Sequence, residues 1–120
     1  MLDVPADAIE QLGQLRAEPK FHPDPSGWYT GVKDPQERMN AEIAINDLIA
    51  RVIGGVLENP TKAFVLDNFS VTLRQLQLHD TEDRERALGY LERIMECVGL
   101  ESSDGLLNDW MYGFDPDQLQ

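Results

Sequence analysis

The sequence predicts an all-α fold, an irregular bundle of about five helices in one domain spanning residues 1–120. Three observations predict it. Apolar residues recur at spacings of three and four in five separate segments, and no segment alternates with the period of two that marks a half-buried strand. Helix start and stop signals punctuate those segments. Short connections after the second, third and fourth segments favour antiparallel neighbours.

The first segment runs from Ala6 to Ala17, with Ile9, Leu12 and Leu15 on one side. Glu18-Pro19 stops it, because the residue before a proline avoids the α region. A long connection follows over residues 17–33, with three prolines, two glycines and the aromatics Phe21, Trp28 and Tyr29. Connections of this length inside a compact domain are uncommon and often functional. Its aromatics are expected to hold it against the body.

Asp34-Pro35 opens the second helix: Asp34 caps, Pro35 suits the first position, and Glu37 completes a box-like arrangement. Its stripe is Ile45, Leu48, Ile49, Val52, Ile53, Val56 and Leu57. Gly54-Gly55 costs about 1 kcal/mol per glycine relative to alanine, which implies a close helix approach or a bend. Asn59-Pro60 repeats the start signal for a third helix, Pro60 to Leu78, with Leu66, Phe69, Leu73 and Leu76 on one side and Phe64, Val71 and Leu78 on another. A helix apolar on two sides is a buried one, so the third is expected at the centre.

Asp80 caps the fourth helix, and Leu88, Leu91, Ile94, Met95 and Val98 face the core. Gly99 suits the position just past its end, with Leu100 folding back. Ser102 or Ser103 then caps a fifth helix, with Asp104 in its first turn and Leu106, Leu107, Trp110, Met111 and Phe114 on one face. This segment reads as a lid that drives Trp110 into the bundle. Asp115-Pro116 ends it and leaves a tail over residues 115–120.

Ten Lys plus Arg face 22 Asp plus Glu, a net charge of −12. Phosphate backbones and anionic membranes repel such a surface, so neither a nucleic acid nor a membrane is expected as partner, whereas a basic protein is steered toward it. No run of residues is apolar enough to span a bilayer, and the start of the chain lacks the basic and apolar regions of a secretory signal. With one cysteine, Cys97, no intrachain disulfide forms. These features point to the cytoplasm.

Chemistry-bearing motifs are missing. Phosphate-loop and dinucleotide glycine patterns do not occur, and His22 and His79 lack metal-ligand spacing. At Asp80 an EF-hand alignment fails, because Glu85 stands where the loop needs glycine. Cys97 lies near the core face of its helix with no histidine beside it in sequence, and capping accounts for Ser102 and Ser103. The sequence therefore assigns no catalytic residue, metal site or cofactor.

The acids form two groups: Asp80, Glu82, Asp83 and Glu85, interleaved with Arg84 and Arg86, and a C-terminal set with no Lys or Arg in the last twenty residues. The candidate partner-binding residues are therefore Glu101, Asp104, Asp109, Asp115 and Asp117, with Tyr112, Trp28 and Tyr29 as aromatic anchors if exposed.

Residues 80–116 carry "DTEDRE", "GYLERIMECVGLESSDGLLN" and "WMYGFDP", and residues 59–69 read "NPTKAFVLDNF". In these the chain resembles an uncharacterised family of small bacterial proteins, a domain of unknown function. The resemblance brings no activity and no site residues, and it does not reach the N-terminal third. In size, acidity and helicity the chain is also similar to bacterial immunity proteins, which neutralise a toxin. The leading expectation is a protein that acts by binding a basic protein, as an immunity or antitoxin-type factor. Two alternatives stand beside it: a small enzyme or ligand-binding bundle, and an obligate homodimer whose acidic surface is incidental.

Overall fold

The computed structural model describes residues 1–112. Five helices succeed one another: α1 (Ala8–Ala17), α2 (Pro35–Gly55), α3 (Lys62–Gln75), α4 (Thr81–Val98) and α5 (Leu106–Met111). There is no strand among the described residues. The predicted all-α class holds.

Local chemistry explains most helix ends. Asp34 accepts from the Gln36 N–H at 2.9 Å, with Pro35 in the first turn, and Asp80 accepts from the Glu82 N–H at 2.8 Å. At the end of α4, Gly99 turns left-handed at φ 77°, the Leu100 N–H reaches the Met95 carbonyl at 2.9 Å, and the Gly99 N–H reaches Glu96 at 3.4 Å. That pair of bonds is the Schellman arrangement, and it buries Leu100 with Met95. The third helix starts differently from the prediction. Thr61 is the cap, accepting from the Phe64 N–H at 3.1 Å, and Asn59 is not. A threonine hydroxyl two residues closer to the apolar run reaches the free N–H that Asn59 cannot.

The central helix is α2, which packs against α1, α3 and α4; the expectation of a central α3 is corrected. Along α3 only Val65, Phe69, Thr72 and Leu73 are buried, while Val71 lies open. Leu76 and Leu78 are buried from the connection beyond the helix, because the backbone turns extended at Leu76. Their spacing continues the apolar period of α3 past its end, which is why the sequence reads as a helix apolar on two sides. Arg51 of α2 clamps α3 by donating to Asn68 Oδ1 at 2.9 Å and to the buried Thr72 hydroxyl at 2.8 Å. The close approach expected at Gly54-Gly55 is real at Gly55, where a Cβ would stand 2.5 Å from the Phe64 ring; Gly54 has open space.

α5 is the lid. Trp110 is half-buried, its Nε1–H donates to the Leu73 carbonyl at 3.2 Å, and the Arg84 guanidinium lies over its ring at 4.0 Å. Arg84 also donates to the carbonyls of Leu78 (3.0 Å) and Trp110, so one side chain ties α4 to the lid. The cap differs in detail. Gly105, at φ 89°, precedes α5, Asp104 lies outside the first turn at φ 55°, and Ser103 Oγ receives the Leu107 N–H only at 3.4 Å. Phe114, placed on this face by the sequence, is outside the described residues. Trp110→Phe keeps most of the ring and removes the indole donor. It is expected to cost about 1 kcal/mol, read as a melting temperature lower by about 3–6 °C.

Candidate functional site

The segment between α1 and α2 is pinned from three sides. Lys20 is fully buried, and its ammonium donates to the carbonyls of Leu15 (2.6 Å), Glu18 (2.8 Å) and Arg16 (3.2 Å). These are carbonyls at and just beyond the end of α1, where a cation suits the negative end of the helix. The Lys20 N–H donates to the Glu42 carboxylate at 2.6 Å. Burial pulls the Lys20 pKa down to about 8, against the opposing pull of Glu42 and Glu18.

Phe21 follows at φ 61°, its N–H donating to the Tyr90 hydroxyl at 3.0 Å and its ring meeting Tyr90 edge-on with centroids 5.2 Å apart. The chain then folds back on itself: the Val32 N–H reaches the Phe21 carbonyl and the Asp24 N–H reaches the Tyr29 carbonyl, both at 2.9 Å. Gly31 closes this turn at φ 80°, and a Cβ there would stand 2.9 Å from the Phe21 carbonyl.

Tyr29 is buried, its hydroxyl donating to Asp83 of α4 at 2.7 Å, with the Arg86 guanidinium over its ring at 4.1 Å. Burial first, and then the Asp83 carboxylate, hold its phenol neutral well above the usual range. Arg86 is itself paired with Asp24 at 2.8 Å, and Arg93 with Glu18 at 2.6 Å. Between these anchors stands Trp28, 85% exposed. It forms one wall of an open groove of roughly 470 Å³, with Glu82 and Glu85 along the side and Gly89 on α4 leaving the floor free. Both basic residues at this groove have acidic partners, while the Glu82 and Glu85 carboxylates have none among the described residues. The groove is therefore aromatic and anionic.

The structure separates the residues selected from sequence. Trp28 is exposed, but Tyr29 is not an exposed anchor: its hydroxyl is spent on Asp83. Glu101, Asp104, Asp109 and Tyr112 are exposed around the lid. Asp104 is not uncompensated, because Lys62 of α3 pairs with it at 3.1 Å. Asp115 and Asp117 lie outside the described residues. A second, wider groove of roughly 1250 Å³ runs between the N-terminal residues, α4 and α5 and includes Glu101 and Tyr112 at its edge. Glu82 and Glu85, set aside in the sequence as balanced by Arg84 and Arg86, are the free acids; those arginines are committed to Trp110 and to Asp24.

His22 stands 3.6 Å from Glu42, and no group of three or more His, Cys, Asp or Glu among the described residues is arranged to hold a metal ion. The Cys97 thiol is half-buried, and burial raises its pKa. No helix among the described residues is long and apolar enough to cross a membrane.

A family model described as a domain of unknown function, DUF4844, matches residues 3–115. The chain belongs to this family. The match takes in the "DTEDRE" and "NPTKAFVLDNF" segments and extends through the N-terminal third, where the sequence showed no resemblance. The DUF4844 fold is also similar to a crystal structure of a DUF3571 family protein from the bacterium Acinetobacter baumannii. The identity is 34% and the TM-score 0.79, over 93% of this chain and 94% of the other. No curated protein matches the chain.

Proposed function

We propose that this DUF4844 domain is a cytoplasmic protein that works by binding a basic protein, in the manner of an immunity or antitoxin factor. The observation that carries the reading is Trp28, which is held out at 85% exposure beside two unpaired carboxylates. The Lys20, Phe21 and Tyr29 contacts hold the backbone around it, and the ring stands in the open beside the groove.

A Lys or Arg side chain entering the groove stacks on Trp28 and reaches Glu82 or Glu85. A cation over an indole contributes about 0.5–2 kcal/mol depending on how dry the contact becomes. The overall charge of −12 speeds the encounter, while the aromatic contact prolongs it.

Gly89→Leu tests the site without weakening the helix, since leucine is a better helix former than glycine by roughly 1 kcal/mol and the space beside Gly89 is open. The variant is expected to melt no lower than wild type and to lose the partner. In a native pull-down, wild type should retain a basic protein that leaves as salt rises, and Trp28→Ala and Gly89→Leu should not retain it. Retention that ignores both substitutions would refute the site. An acidic or salt-insensitive partner would refute the class.

A further inference from the structure

The connection from α4 to the lid passes through Asp104-Gly105, a turn that no neighbour shields. Asp104 is the one aspartate in the chain followed by glycine, and no asparagine is. Every other aspartate precedes a residue whose side chain crowds the next nitrogen, or a proline, whose nitrogen has no hydrogen to lose. The Asp104 side chain is 60% exposed. Its backbone is left-handed at φ 55°, a conformation that a residue with a Cβ holds under strain, and Gly105 follows at φ 89°. A Cβ on Gly105 would meet nothing within 4 Å. The Gly105 N–H donates to no group among the described residues. α5 draws only on the Gly105 carbonyl, which accepts from the Asp109 N–H at 2.9 Å. A backbone nitrogen outside the helical ladder thus stands next to the carboxyl group of the residue before it.

We propose that Asp104-Gly105 is a site of self-modification, where the chain isomerises to isoaspartate without enzyme or cofactor and the lid loosens as a result. The Gly105 nitrogen bonds to Asp104 Cγ. The bond from Cγ to the carboxyl hydroxyl breaks, and that hydroxyl leaves as water with the proton from the nitrogen. The product is a cyclic succinimide. Water then adds to one of its two carbonyls. Opening at the main-chain carbonyl of Asp104 leaves the chain running through Cβ and Cγ, with the former main-chain carbonyl as a pendant carboxylate. One water leaves and one returns, so composition is unchanged and nothing is oxidised or reduced.

The new linkage lengthens the backbone by one carbon and shortens the carboxylate's stem by one. Three contacts depend on the original turn. Lys62 donates to Asp104 Oδ1, the Asp104 N–H donates to Ser102 Oγ, and the Leu106 N–H donates to the Ser103 carbonyl, each at 3.1 Å. The lid is only six residues long, so a shift at its start reaches Trp110, whose bond to the Leu73 carbonyl and stacking on Arg84 fix it to the body. The proposal is independent of the Trp28 groove.

Ageing the full chain in mildly acidic buffer tests it. After tryptic digestion, electron-transfer fragmentation of the peptide that follows Arg93 locates isoaspartate by position. It should accumulate at Asp104 at least several-fold faster than at Asp109 on the same peptide, at a rate close to that of the chain unfolded in urea. The melting temperature should fall in step with the isomerised fraction. Asp104→Glu, which would have to close a larger and less favourable ring, should age with neither change. A native rate more than about tenfold below the rate in urea means that the turn is protected, and it overturns the proposal. Isoaspartate no richer at Asp104 than at Asp109 does so too, as does an isomerised chain that melts like the fresh one.

Discussion

Replacing Lys20 with methionine is expected to destabilise the fold by about 3 kcal/mol, a drop in melting temperature of about 10–20 °C. Methionine fills most of the volume, so packing is nearly kept. The loss lies in the carbonyls of Leu15, Arg16 and Glu18, which the ammonium now serves. Each buried carbonyl without a donor costs about 1–3 kcal/mol if water cannot reach it. The same residue gives a pH signature. Its folded pKa of about 8 lies below the unfolded lysine value of about 10.4. Between the two the unfolded chain binds more protons, so stability rises with pH there. Tyr29 acts in the opposite sense at higher pH: its phenol stays neutral in the fold while the unfolded one ionises near pH 10. Relative to Lys20→Met, wild type should therefore gain stability from about pH 8 to 10, and both should lose stability above it as the unfolded tyrosines ionise. Melting curves across this range check both statements.

The second large effect is expected at Gly99. A Cβ there would stand 2.6 Å from the Asp3 carbonyl, and the residue is already left-handed at φ 77°. The left-handed region costs an alanine roughly 1 kcal/mol, and displacing the N-terminal segment adds to it. That segment is anchored, with the Leu2 N–H on the Pro60 carbonyl at 2.7 Å. Gly99→Ala should cost about 2–4 kcal/mol in total. Gly54→Ala, in open space on a helix, should instead stabilise by up to about 1 kcal/mol. Urea denaturation of the two variants gives opposite shifts if the geometry is right.

Features within a few residues of one another were legible in the sequence. Asp34-Pro35, Asp80 and Gly99-Leu100 act through bonds to neighbours two to five residues away and are legible as helix ends, although Asp34 accepts from the Gln36 N–H and the expected box with Glu37 does not form. The misreadings have distant partners. Lys62 pairs with Asp104 across 42 positions, and Tyr29 reaches Asp83 across 54. Nothing local to Asp104 or Tyr29 shows that the first is compensated and the second spent. Nothing local marks Lys20, since only the turn of the chain after Glu18 brings its ammonium onto the end of α1. Val71 and Leu57 share the apolar period of buried neighbours yet lie open, because period alone cannot tell a face turned inward from one left over. Trp28 was legible as an aromatic in a loop, but its exposure depends on Phe21 and Tyr29 taking the buried positions.

The proposed function requires Trp28 to stand in water in the isolated chain and to be covered when a basic partner binds. Acrylamide quenching of fluorescence in the Trp110→Phe chain, where Trp28 is the only indole, tests this most directly. The isolated chain should be quenched nearly as strongly as free tryptophan, and the bound partner should protect it. Strong protection of Trp28 in the isolated, monomeric chain would contradict the account.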